Sequence, residues 1–191
     1  MLARIASKAQ GLTGICSREA NALADDWGTG YDVVILAGNL LVNIDAAENY
    51  KAAQRSFIRK AANCVHDGGH VFLEYNLMHP THTGRQAYSD EWVVFEGTDD
   101  HGVYGRFSAL PGVYDADAQM DYGKRKVELT MPDGEQHLFV FDRIKHYPTI
   151  AQVHDWLREA GLITAEEYGG FDKRPISEDG HKAVIWARKG S

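Results

Sequence analysis

The stretch Tyr31-Asp32-Val33-Val34-Ile35-Leu36-Ala37-Gly38-Asn39 decides the fold. An unbroken run of β-branched and large apolar residues is the pattern of a strand buried on both faces, as a central parallel strand is. The run stops on a small residue and an amide, so polar atoms emerge at its carboxyl end. In open α/β sheets the loops at that edge line the crevice where ligands bind. Gly38 and Asn39 are therefore the first site candidates; the plainer alternative is a turn that Gly38 permits and Asn39 caps.

Downstream of this strand the spacing of Tyr50, Ala53, Phe57, Ile58, Ala61 and Val65 predicts a helix over about 47–65. Asp67-Gly-Gly69 is expected to end it as a turn, and His70 to Asn76 reads as a second strand that again finishes on polar groups. Two strands flanking such a helix make a right-handed βαβ unit and hence a parallel sheet. Upstream, residues 1–9 read as a helix end closed by Gly11, Leu12 to Cys16 as a short strand, and Arg18 to Asp26 as one or two helical turns.

The pattern changes at about Gly84. Between there and Asp142, short alternating segments such as Glu91 to Phe95, Val103 to Phe107, Lys126 to Thr130 and His137 to Phe141 are separated by turn signals, Pro132-Asp-Gly134 among them. This predicts antiparallel strands, an insertion over or beside the parallel sheet that offers Trp92, Phe95 and Phe107 as a dimerisation surface. Helical spacing returns at Ile150, Val153, Leu157 and Ala160, opened by a Thr149/Gln152 capping box and closed by Gly161. Ala183 to Ala187 is the last strand. The expected fold is α/β, one domain over 1–191 with 84–142 as its antiparallel insertion.

Composition limits the function classes. A formal charge of −7 with no basic cluster beyond Lys124-Arg-Lys126 argues against nucleic acid as partner. His79 and His82 have a spacing a metal could use, but no second ligand pair stands near them, so no metal is expected. Cys16 and Cys64 are too few for a disulfide framework and read as buried thiols of a reducing compartment. No apolar run approaches the length of a membrane span and no signal peptide opens the chain, so the expected location is the cytoplasm.

The ordered series Glu19-Ala-Asn-Ala-Leu23, Tyr31 to Asn39, Val65-His-Asp-Gly-Gly69, Thr83-Gly84, Tyr147-Pro148 and Gly169-Gly-Phe-Asp-Lys173 resembles the latter part of a class I S-adenosylmethionine-dependent methyltransferase. The glycine and sarcosine N-methyltransferase type is the nearest in pattern. The resemblance implies a Rossmann-like sheet and S-adenosylmethionine as cofactor. It places Asn21 and Ala22 at the donor's adenine, with Ala37, Gly38 and Asn39 along the donor pocket. Asn43 falls where the glycine enzymes put a histidine beside the donor, and Tyr147 on the substrate side. Asn76 stands where that type has a carboxylate-binding arginine, which makes glycine a poor acceptor here.

The resemblance also places the first strand, the glycine-rich turn and the acidic residue after the second strand ahead of Met1, so the expected sheet is N-terminally truncated. Either Leu12 to Cys16 pairs with Val33 to Leu36, or a second copy of the chain covers that edge. The implied activity is methyl transfer to a small-molecule amine or hydroxyl, with sugar amines within reach. Asn39 and Tyr147 are the expected catalytic residues, and Tyr75, Asn76 and Tyr147 the substrate contacts; Glu74 is either a general base or a loop partner. The opposing reading is a non-catalytic methyltransferase-like remnant that serves as an interaction or assembly module.

Overall fold

The computed structural model describes residues 8, 11–46, 49–78, 85–88 (backbone only), 90–177 and 180–190. His79, His82, Thr83-Gly84, the start of the first helix at Ala47 and nearly all of the expected N-terminal helix end lie outside the described residues. The elements run β1 (Tyr31–Leu36), α1 (Tyr50–Cys64), β2 (Val65–Asn76), β3 (Arg85–Tyr88), β4 (Trp92–Thr98), β5 (Tyr104–Asp115), β6 (Met120–Thr130), β7 (Gln136–His146), α2 (Ile150–Glu159), β8 (Leu162–Tyr168) and β9 (Lys182–Lys189).

Two separate sheets result. The first has the order β1-β2-β9-β8, with β1 and β2 parallel and β9 antiparallel to both β2 and β8. The βαβ unit is thus present, inside a mixed sheet. Its Asp67-Gly-Gly69 segment does not end the helix as a free turn: β2 begins at Val65, and the extra residues appear as a register shift, Tyr31 opposite Val65 but Val33 opposite His70. A Cβ on Gly69 would meet the carbonyl oxygens of His66 and Tyr31 at 3.0 Å, so the close approach there requires glycine. The second sheet, of five strands, is antiparallel throughout, with β5 at its centre between β6 and both β3 and β4.

One face of the first sheet carries the core. Leu36, Val71, Leu73, Tyr75, Ala183, Ile185 and Ala187 pack beneath Phe57, Ile58 and Ala61 of α1 and Val153, Trp156 and Leu157 of α2. Truncating Phe57 to alanine would cost about 3–5 kcal/mol on that account. Asn49 caps α1 through Ala52 N, and Thr149 with Gln152 forms the capping box of α2.

Two expectations are corrected and one strand is added. Leu12 to Cys16 is not a strand: Gly14, in the middle of it, has φ 81°, which breaks an extended run, and Leu12 and Ile15 are exposed. Its pairing with Val33 to Leu36 is therefore not formed. β1 accordingly lies at the sheet edge and is buried on one face only, with Val33 40% and Ile35 63% exposed. Finally, β8 had no alternation strong enough to read from Leu162-Ile-Thr-Ala-Glu-Glu-Tyr168, yet it closes the far edge of the sheet.

Candidate functional site

The carboxyl ends of β1 and β2 are locked together. Gly38 (φ 74°) and Asn39 (φ 61°) are both left-handed, which turns their successive amides onto one carboxylate oxygen, Glu74 Oε2, at 2.8 and 3.2 Å. Lys182 on β9 donates to the other oxygen. Burial pushes the Glu74 carboxyl up, but Lys182 and the amides of Asn39 and Gly38 outweigh it and hold the group below the ordinary carboxylate range. Glu74 is thus the loop partner rather than the base. In return, Asn39 Oδ1 accepts from the backbone N–H of Asn76 at 2.6 Å.

A second set of contacts sets the five-stranded sheet against these strand ends. Gln54, buried on α1, donates from Nε2 to the carbonyls of Leu41 and His146, both at 3.0 Å, and its Oε1 accepts from His146 Nδ1 at 2.7 Å. Burial, and next the charge of Lys51, push the His146 imidazole down to about 4, so it is neutral at pH 7. Tyr147 N donates to the Gln119 carbonyl at 2.9 Å, and Gln152 of α2 donates to the Gln119 side chain at 2.8 Å. Among the described residues the two sheets share no strand pair, and this polar seam joins one to the other.

Between them lies a cavity of about 1110 Å³. Its floor is Asn39, Asn43 and Asn76 at the strand ends; its far wall is Trp92, Val94, Phe107 and Phe141 of the antiparallel sheet; Arg125, Arg143, Lys145 and Tyr147 stand along one side. Arg143 pairs with buried Asp121 and also donates to the Tyr147 hydroxyl. Lys145 donates to Asn43 Oδ1, and Asn43 Nδ2 donates to Gly38 O at 3.4 Å. Burial first, then the neighbouring charges of Arg143 and Arg125, lower the Lys145 ammonium to about 8. A second hollow of about 590 Å³ shares Leu77, Met78 and Tyr147 with the first.

The structure therefore brings Asn39, Asn43, Asn76 and Tyr147 to one cavity, with Gly38 behind Asn39 and Ala37 leading into the turn. It does not bring the others. Tyr75 points into the core, fully buried, and its hydroxyl has no partner among the described residues. The alternation of a strand explains this, because Glu74 and Asn76 take the opposite face. Asn21 and Ala22 are exposed on a turn that Asn21 Oδ1 organises by accepting from Leu23 N and Ala24 N. Lys60 holds that turn to α1 through the carbonyls of Ala22, Leu23 and Asp25 while lying over the Trp27 ring. Lys60 is ten residues along α1 from Tyr50, which lines the cavity, or about 15 Å of helix. Sequence reasoning missed Arg125 of β6 and Arg143 and Lys145 of β7; the alternate spacing of Phe141, Arg143 and Lys145 along β7 was the available signal for the latter two.

Among the described residues no group of three or more His, Cys, Asp or Glu could hold a metal, and no helix is long and apolar enough to cross a membrane.

No protein-family model matches the chain, and a search of curated proteins finds no match. Solved structures do share its fold. The CcbJ methyltransferase from Streptomyces caelestis superposes with a TM-score of 0.68 at 19% identity, over 100% of this chain and 71% of that one. The S-adenosylmethionine-bound amino pentose methyltransferase CalS10 from Micromonospora echinaspora gives 0.61 at 15%, over 99% and 71%. The sugar N-methyltransferase KedS8 from Streptoalloteichus gives 0.66 at 14%, over 97% and 67%. The chain has a methyltransferase fold and spans about seven-tenths of the length of these proteins.

Proposed function

We propose that the chain is an S-adenosylmethionine-dependent methyltransferase acting on a small-molecule amine or hydroxyl, with an amine on a sugar-like ring as the first acceptor class to try. The observation that carries the reading is the cavity itself: neutral amides and a tyrosine hydroxyl at the carboxyl ends of β1 and β2, roofed by aromatic side chains of a second sheet, on a fold shared with small-molecule methyltransferases. Residues 84–142 are, on this reading, an antiparallel insertion beside the site of a single unit. Of the two free cysteines Cys64 is buried as expected and Cys16 is exposed; both free thiols fit a reducing, cytoplasmic setting.

The residues fit the methyl-bearing end of the donor. A Cβ built on Gly38 would meet nothing within 4 Å, so a ligand can approach that strand end closely. Asn39 and Asn43 border it with neutral polar groups, which a sulfonium tolerates. Asn21 and Ala22 stand on the turn that Lys60 ties to α1, and on this reading they are offered to the donor's adenine. When bound, the donor supplies an electrophilic methyl group on a sulfonium. The chain's own part is positioning and exclusion of water. Asn39 fixes the strand ends, Asn76 and Tyr147 face the acceptor, and the Arg143 bond holds the tyrosine hydroxyl in place. Trp92, Phe107 and Phe141 make the far wall apolar.

Calorimetric titration with S-adenosylmethionine and with its demethylated product tests the reading. Uptake in the high-micromolar range is expected. Absence of heat at millimolar donor favours the assembly-module alternative, which the β1 edge supports.

A further inference from the structure

Proton removal is the one chemical task in this cavity that positioning alone does not perform, because an amine or hydroxyl that gains a methyl group must lose a proton. Asp45 and His181 also line the cavity, and several of the other candidate groups are already engaged. Glu74 is shared among Lys182, Gly38 and Asn39; Asp121 pairs with Arg143; Asp142 lies 3.7 Å from Lys124; and the Tyr147 hydroxyl takes a bond from Arg143. Tyr50 is pushed up by burial and by Asp45, so it stays protonated. Lys145 is different: its Nζ reaches into the cavity from β7 and is held by Asn43, whose other amide atom touches the Gly38 carbonyl at the strand end.

We propose that Lys145, positioned by Asn43, is the general base that takes the proton from the acceptor's amine or hydroxyl during methyl transfer. This rests on the reading of the site as a sulfonium-dependent methyltransferase. The acceptor's lone pair forms the bond to the methyl carbon as the carbon–sulfur bond breaks. The electron pair of that bond stays on sulfur, which becomes a neutral thioether; the acceptor's proton passes to neutral Nζ, and the resulting ammonium returns it to water.

The surroundings favour a neutral Nζ. The titratable and charged groups around it are Arg143 on its own strand, Arg125 and Asp121 on β6, and Asp45, Tyr50, Asp142 and His181 around the cavity. Asp121 lies opposite Lys145 in register, but its carboxylate is taken by Arg143. Burial and the two guanidiniums then dominate and lower the ammonium to about 8. A base with a pKa near the working pH is the efficient one. The same cationic field disfavours an ammonium on the acceptor and so keeps the nucleophile's lone pair available.

The ligand-free chain gives the first test. Competitive acetylation of lysines across pH, read by peptide mass spectrometry, should show Lys145 titrating near 8, well below the ordinary 10.5, and lower still with S-adenosylmethionine but not with its uncharged demethylated product. The second test uses glucosamine as probe acceptor and labelled donor. Lys145→Met and Lys145→Arg should each lose about a hundredfold in kcat, with the alkaline rise near pH 8 gone and donor binding retained. Lys145 titrating with the other lysines overturns the proposal, as does a Met variant that keeps the wild-type kcat and pH profile. If the wild-type chain takes up no donor and transfers no methyl group, the functional reading falls and takes the proposal with it; a wild type that works no better than its Met variant removes the proposal alone.

Discussion

Asn39 Oδ1 and the Asn76 backbone N–H are 2.6 Å apart, so the last residues of two parallel strands form a single hydrogen-bonded joint. Asn39 holds this joint from a left-handed backbone (φ 61°), a conformation that costs most non-glycine residues about 1 kcal/mol. Asn39→Ala should lose both the bond and the local tolerance, about 2 kcal/mol together, whereas Asn39→Gly should lose about 1. Urea denaturation of the two variants checks the order; equal losses would show that the backbone conformation carries no cost here.

Glu74 gives a pH-dependent counterpart. Its folded carboxyl lies below the unfolded value, so its stabilisation is present above that unfolded value and is lost as pH falls through the folded one. Glu74→Gln leaves Lys182 without its carboxylate and should cost about 3 kcal/mol at pH 7. The gap between wild type and variant should narrow in acid, below the ordinary carboxylate range. A gap independent of pH would contradict the ion-pair account.

His146 acts in a higher window. Its folded pKa of about 4 lies below the unfolded 6.5, so the unfolded chain binds the proton first. Stability is full above 6.5 and declines as pH falls towards 4, by roughly 2 kcal/mol at pH 5. Unfolding midpoints at pH 7.5 and 5 measure this. His146→Gln should flatten the decline, and a decline unchanged in that variant would assign it to another group.

Tyr75→Phe should leave methyl transfer and donor uptake unchanged and leave stability equal to, or about 1 kcal/mol above, wild type, because it deletes a buried hydroxyl that has no partner among the described residues. Loss of activity without loss of stability would return Tyr75 to the site.

The β1 edge predicts association. Unpaired backbone groups flanked by exposed Val33 and Ile35 form a template for another strand. The isolated chain should show concentration-dependent association in light scattering, and Ile35→Lys should reduce it without lowering the unfolding midpoint. Monodisperse behaviour of both proteins would contradict it.

Periodicity made the βαβ unit, the antiparallel middle and the capped helix at Thr149 legible, since each follows from local alternation or spacing. The edge position of β1 was not legible. A run buried on both faces and a run exposed on one have the same letters when Val33 and Ile35 face outward, and only the failure of Leu12 to Cys16 to extend reveals the difference. Tyr75 was misplaced because its neighbours Glu74 and Asn76 are at the site, and adjacency along a strand means opposite faces. Lys145 was hidden for another reason: it comes to Asn43 across 102 residues of chain, a distance that no local pattern spans.

Gln54 gives the arrangement a mechanical character. Among the described residues no ladder joins the sheets, and the roof of the cavity is tied to the floor along one short line of polar contacts, Gln54 to His146, Gln152 to Gln119 and Lys145 to Asn43. Any rotation about that line would move Trp92 and Phe107, on β4 and β5 beyond β6 from β7, more than it moves Lys145.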